Sequence, residues 1–170
     1  MKPELYFAGH DVFCLDYAEH KTRIEVACKK YGVKALHPAD GKNKSSQEIY
    51  RRNVEKIQRC QALVAHVGAF RSATEPDSGT CFEIGMACGL EKPVFMWMPA
   101  EEQLSHGERC ARAYGVAKGS RGMLLDKTFG FLIEDFGSPL NLMLANTGPL
   151  ALSLEEAVAA AAEHLQRTVG

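Results

Sequence analysis

The run Pro76-Asp77-Ser78-Gly79-Thr80-Cys81-Phe82-Glu83-Ile84-Gly85 places two carboxylates around a glycine, and these are the side chains of this sequence best suited to chemistry. The spacing predicts a turn at Gly79 that feeds Glu83 into the first turn of a helix. There the positive end of the helix macrodipole favours the ionised carboxylate and keeps a nucleophile charged at neutral pH. Asp77 adds a second carboxylate, and Gly79 carries no side chain to hold a ligand off the backbone. Such a pair suits acid/base or nucleophilic attack at a glycosidic bond. The same letters have a plainer reading, because Thr80 followed three residues later by Glu83 is a capping box that only finishes a helix.

The elements that must hold this run alternate. Leu5-Tyr6-Phe7-Ala8 is a short apolar strand ending at Gly9, followed by an amphipathic helix from Asp16 to Tyr31, capped by Asp16 with Glu19 and stopped by Gly32. Val33 to His37 is a second strand, Pro38 to Ser45 a polar loop, and Ser45 with Glu48 opens a helix to about Cys60. Ala62 to Val67 and Pro93 to Met98 are buried strands on either side of the loop Gly68 to Ser78 and the helix Gly79 to Leu90. Residues 101–136 are irregular apart from a helix around Glu108 to Tyr114. Ser153 and Glu156 cap a final helix whose apolar stripe is Ala157, Val158, Ala161, Ala162 and Leu165, and Leu142 and Leu144 are expected in the core. Strands alternating with helices imply a parallel sheet covered on both faces, with ligands beyond the carboxyl ends of the strands. Gly9 to Phe13, Gly68 to Gly79 and the residues from Pro99 onward fall on that edge.

Composition narrows the partners. The chain has 170 residues, enough for one domain over 1–170, and a formal net charge of −1 with charges interspersed, so no basic face invites nucleic acid. A small neutral or weakly charged ligand fits better. The six cysteines lack a Cys-x-x-Cys pair and no signal-like apolar region opens the chain, which implies reduced thiols and a cytoplasmic location. The uncharged stretch 137–154 is broken by Pro139, Asn141, Asn146, Gly148 and Pro149, which argues against a membrane span. The six histidines show no metal-ligand spacing, so neither a metal nor another cofactor is expected.

Tyr6-Phe7-Ala8-Gly9, Phe70-Arg71, Asp77-Ser78-Gly79-Thr80-x-Phe82-Glu83-Ile84-Gly85 and Asn141-Leu142-Met143 together resemble the nucleoside 2-deoxyribosyltransferases, over about residues 4 to 145. The resemblance implies a flavodoxin-like parallel sheet flanked by helices. It also implies exchange of purine or pyrimidine bases on 2′-deoxyribonucleosides through a covalent glycosyl-enzyme. Glu83 matches the family nucleophile, Asp77 the carboxylate that meets the base, and Tyr6 the tyrosine that orients the nucleophile, although a buried strand tyrosine needs no such role. Asp11 and Phe13 resemble base-site residues beside Gly9, and Phe70 and Arg71 lie in the family's pocket loop, where the arginine could equally be solvated or bridge to Asp77. Asn53 departs from the aspartate of some members and is assigned only to substrate contact. Asn141 and Met143 match residues that reach from one subunit into its neighbour's site, implying a homodimer or larger homo-oligomer. Their alternative is a helix start with core side chains.

Two other classes of function share these letters. One is hydrolysis, as a 2′-deoxynucleoside 5′-monophosphate N-glycosidase or a nucleotide phosphoribohydrolase. Against it, Gly9-His10-Asp11-Val12-Phe13 offers an aspartate that repels phosphate, and Asp77-Ser78 stands where the phosphoribohydrolase motif has Gly-Gly. The other is a non-catalytic nucleoside-binding module on the same fold. Such a module would tolerate loss of Glu83, whereas here Asp77, Gly79 and Glu83 all remain.

Overall fold

The computed structural model describes residues 2–38 and 45–169. Most of the loop expected between Pro38 and Ser45 lies outside the described residues.

Mostly apolar runs of up to five residues form the strands because parallel strands covered on both faces have no polar side to alternate with. Strands β1 (Glu4–Ala8), β2 (Lys34–Leu36), β3 (Ala62–His66) and β4 (Val94–Trp97) pair in parallel, and a two-residue strand, Leu150–Ala151, joins beyond β4. The order is β2-β1-β3-β4 and then that fifth strand, which is the flavodoxin-like order. Tyr6 stands in register between Leu36 and Leu63. The sheet reverses its direction of growth between β1 and β3, and this is where such sheets open a crevice for ligands.

Alternation along the strands divides the core in two. Leu5, Phe7 and Val64 face helices α1 (Tyr17–Tyr31) and the C-terminal Leu154–Val169, which supply Ile24, Ala27, Cys28, Ala157, Val158 and Ala161. Tyr6, Ala8, Leu63 and Ala65 face α2 (Ser46–Arg59) and α3 (Ser78–Gly89), which supply Ile57, Ile84 and Ala87. The side chain of Tyr6 therefore points at the helix that carries Glu83.

Helix ends largely follow the expected signals. Gly32, at φ 72°, ends α1 in the left-handed conformation that glycine adopts without strain, and Ser45 Oγ accepts the Glu48 N–H at 3.2 Å. Ser153 Oγ likewise accepts from Glu156 N at 3.3 Å. Asp16 does stand at the N-cap of α1, but its side chain makes no capping bond and turns instead to His20, 3.6 Å from Nε2.

Three features depart from expectation. The helix expected around Glu108 to Tyr114 is present as α4 (His106–Tyr114), entered through a Ser105/Glu108 capping box, but the stretch otherwise expected to be irregular also contains an antiparallel pair, β5 (Val116–Lys118) with β6 (Leu124–Asp126). Unlike β2, which Gly32 and Pro38 bracket, these three-residue strands stand among glycines and charged residues with no apolar run of four or more to mark them. The turn after β6 is organised by Asp126, which accepts the N–H of Phe129 at 2.5 Å and of Phe131 at 3.0 Å. The fifth strand, two residues long, also escaped the sequence, and β7 now denotes Leu150–Ala151, with α5 for Leu142–Ala145 and α6 for Leu154–Val169. Leu144 is buried as expected, but Leu142 is 41% exposed and lies outside the core. No helix among the described residues is long and apolar enough to cross a membrane.

Candidate active site

Glu83 lies in the second turn of α3, not the first. The helix begins one residue after Asp77, whose Oδ2 accepts the Thr80 N–H at 2.9 Å and the Thr80 hydroxyl at 3.1 Å. Asp77 is thus the N-cap, and the Thr80/Glu83 capping box does not form. Gly79 sits inside the first turn rather than in a preceding loop, and a Cβ there would come within 3.0 Å of Asp77 Oδ2. The glycine leaves room for the capping carboxylate.

From its position Glu83 reaches back to the sheet, where the fully buried Tyr6 donates its hydroxyl to Glu83 Oε1 at 2.5 Å. Burial pushes the Glu83 carboxyl up to about 7, the Tyr6 hydrogen bond pulls it down, and the charge of Asp77 adds to the rise. The expectation that a helix terminus keeps Glu83 ionised is overturned, because the macrodipole fades beyond the first turn and desolvation dominates. Burial, with the Glu83 charge next, holds the Tyr6 hydroxyl protonated as a permanent donor. A carboxyl poised near neutrality and aimed by a fixed donor can act as a nucleophile or as an acid/base group.

At the carboxyl ends of β1 and β3 a second group converges. A Cβ on Gly9 would meet Asp11 Oδ2 at 2.7 Å and His66 Cβ at 3.0 Å, so only glycine fits. Asp11 is buried, with Oδ1 and Oδ2 at 3.0 and 3.1 Å from His66 Nδ1 and His20 Nδ1 3.4 Å from Oδ1. Burial pushes the Asp11 carboxyl up, but the His66 hydrogen bond and the nearby imidazoles outweigh it and hold it below the usual range. Its carboxylate thus faces inward. Phe13, by contrast, is exposed and stacks on Phe70 at 5.4 Å, and the Arg71 guanidinium lies over both rings at 5.3 and 4.6 Å. Arg71 therefore covers an aromatic pair, with its own backbone at φ 54°.

His66, His10 and Trp97 belong to this group and were not singled out from the sequence. His66 stacks on Trp97 at 3.8 Å and lies 4.3 Å from the His10 ring. The available signal was a histidine closing the otherwise apolar strand Ala62-Leu63-Val64-Ala65-His66, an expensive burial unless it has partners. Two triads among the described residues could hold a metal ion, His10 with Asp11 and His66, and Cys14 with Asp16 and His20. Histidine spacing along the chain cannot reveal the first, because its ligands come from two strands' ends.

The family model for nucleoside 2-deoxyribosyltransferase matches residues 5–143. The chain belongs to that family. A structure of a 2-desoxiribosyltransferase from Leishmania mexicana is similar over 95% of this chain and 98% of that one, with 30% identity and a TM-score of 0.77. A conserved protein from Enterococcus faecalis shares the fold at 17% identity, a TM-score of 0.62, and coverage of 97% and 99%. An uncharacterized Schizosaccharomyces pombe protein, C191.05c, is 28% identical over 101 residues, 54% of this chain and 48% of that protein. The match thus spans about half the length of that curated relative.

In this nucleoside 2-deoxyribosyltransferase family chain, Tyr6 hydrogen-bonds Glu83, the Asp77 charge acts on Glu83, and Gly79 packs beside Asp77. Asn53 is half-buried on α2, one turn beyond Tyr50, whose ring lies 6.1 Å from that of Phe82 on α3. Asn141 N-caps α5, its Oδ1 accepting from Met143 N and Leu144 N at 3.1 Å. Met143 is 74% exposed and lines a groove with Cys88, Lys92 and Asn146 at the C-terminal end of α3, away from the Asp77 cap.

Proposed function

We propose that the protein exchanges nucleobases on 2′-deoxyribonucleosides, with Glu83 as the nucleophile. The observation that carries this reading is the 2.5 Å hydrogen bond from Tyr6 to Glu83 Oε1, which aims a carboxyl poised near pH 7 from α3 toward the β1/β3 crevice. In the first half-reaction Glu83 attacks the anomeric carbon from the face opposite the base. The C1′–N bond breaks, the C1′–O bond to Glu83 forms, and the departing nitrogen takes a proton relayed by Asp77. In the second, the nitrogen of a new base attacks C1′, loses its proton by the same relay and releases Glu83, so the configuration is retained overall.

The exposed face of Phe13, with Phe70 behind it, suits a flat heterocycle, which would displace the Arg71 guanidinium from the rings. Asn53 and Gly9 border the substrate. Asn141 and Met143 serve a neighbouring subunit's site, which makes the working unit a homo-oligomer. Base exchange of this kind belongs to nucleotide salvage, and the six free thiols fit a reducing cytoplasm.

A 2′-hydroxyl withdraws electrons from the anomeric centre and destabilises a cationic transition state, so ribonucleosides should react poorly. Given 2′-deoxyinosine and adenine, the protein should form 2′-deoxyadenosine and hypoxanthine, while inosine and adenine give little product. Chromatographic release of free deoxyribose with adenine untouched would replace the transferase by a hydrolase. Absence of reaction with every deoxynucleoside and its 5′-monophosphate would leave a binding module.

A further inference from the structure

We propose that His10, Asp11 and His66 form a binding site for one divalent transition-metal ion of the zinc class. One donor atom from each lies within 4.8 Å of the others. The site exists because β1 and β3 are neighbours in register, Ala8 opposite Ala65, which brings the turn His10–Phe13 over the end of β3. Two imidazoles and one carboxylate are a borderline donor set that takes Zn2+, Co2+ or Ni2+ in preference to Mg2+ or Ca2+.

The ligands are held in place. His66 is clamped against Trp97, and His10 stacks on Phe70 at 5.2 Å. The buried Nδ1 of His10 has no hydrogen-bond partner among the described residues, a costly state that a metal ion relieves. A metal on His66 Nδ1 moves the ring proton to Nε2. That nitrogen faces Gly68, where a Cβ would lie 2.9 Å from it. The bound ion would fasten the loop carrying Phe13 to β3.

The test uses chelator-stripped full-length protein, independently of any transferase assay. Competition with a chromogenic chelator should give one Zn2+ per chain, and a hundredfold excess over Kd should raise Tm by about 6 °C. Mg2+ should raise it not at all. His10→Gln and His66→Gln should each weaken Zn2+ binding at least tenfold, whereas Cys14→Ser should leave it unchanged. Undiminished binding in a folded His10→Gln protein, or loss of binding in Cys14→Ser, overturns the proposal. Should His66→Gln not fold, Co2+ added to the unaltered protein decides. Visible ligand-field bands without a sulfur-to-cobalt charge-transfer band support the site, and a thiolate band or no stoichiometric uptake overturns it.

Discussion

Glu83 carries an electrostatic tension with two measurable consequences. Burial and the Asp77 charge oppose ionisation, the Tyr6 hydroxyl assists it, and the balance stands near 7. A nucleophile of this kind predicts a rate that climbs with pH through about 7 and then levels. Tyr6→Phe removes the hydrogen bond that favours the anion, so the climb should shift to higher pH and the loss of rate should be larger at pH 7 than at pH 9. A pH–rate profile already flat above pH 5 would contradict both statements. Glu83→Gln should abolish turnover by orders of magnitude, yet affect stability in the opposite sense. The folded-state pKa lies above the ordinary 4.5, so the protonated carboxyl's contribution is fully present below about pH 4.5 and is lost as pH rises through 7. The variant should match its parent at pH 4.5 and exceed it by about 3 kcal/mol at pH 8, in line with a pKa shift of this size. Urea midpoints at the two pH values measure the difference.

The first turn of α3 ties the fold to the site. Asp77 caps the helix through Oδ2 and at the same time raises the pKa of Glu83. Asp77→Ala should therefore cost about 1 kcal/mol of stability and also lower the midpoint of the pH–rate profile among whatever activity remains. A purely structural cap would change the first and leave the midpoint alone. On the opposite edge, Gly148 lets the chain pass against β4, since a Cβ there would fall 2.0 Å from Val94 O. Gly148→Ala must displace backbone, and about 3 kcal/mol of destabilisation is expected in denaturant melts.

Over the whole molecule, Glu83 and Met143 lie in different regions of one chain. Met143 stands out 74% exposed, and Phe131 and Phe136, 71% and 74% exposed, add apolar surface elsewhere after β6. If Asn141 and Met143 complete a neighbour's site, Glu83→Ala and Asn141→Ala proteins should each be inactive. Mixed equally and allowed to exchange subunits as dimers, they should regain about a quarter of full activity, because only one of the two sites in each hybrid has both residues intact. Exchange demonstrated by mass-tagged subunits, with no activity regained, refutes sharing.

The parallel sheet and the order of its strands and helices were legible in the sequence because they rest on local signals; Asp77 and Glu83 stood out by their spacing around Gly79, whereas a role for Tyr6 was only implied by the family resemblance. Continuous apolar runs mark β1, β3 and β4, Ser45 with Glu48 marks the start of α2, and Gly32 marks the end of α1. The short strands β5, β6 and β7 gave no such signal, since β5 and β6 stand among glycines and charged residues and β7 has two residues. Protonation was not legible either. Glu83 reads as a helix-terminal carboxylate until packing buries it beside Tyr6, and the resulting desolvation exceeds anything its sequence neighbours convey. The same holds for Asp11 with His10 and His66, residues up to 56 positions apart whose meeting depends on which strands lie side by side. Local propensity determines which elements form, and only their packing sets distance and solvent exclusion, from which the charge state of each group follows.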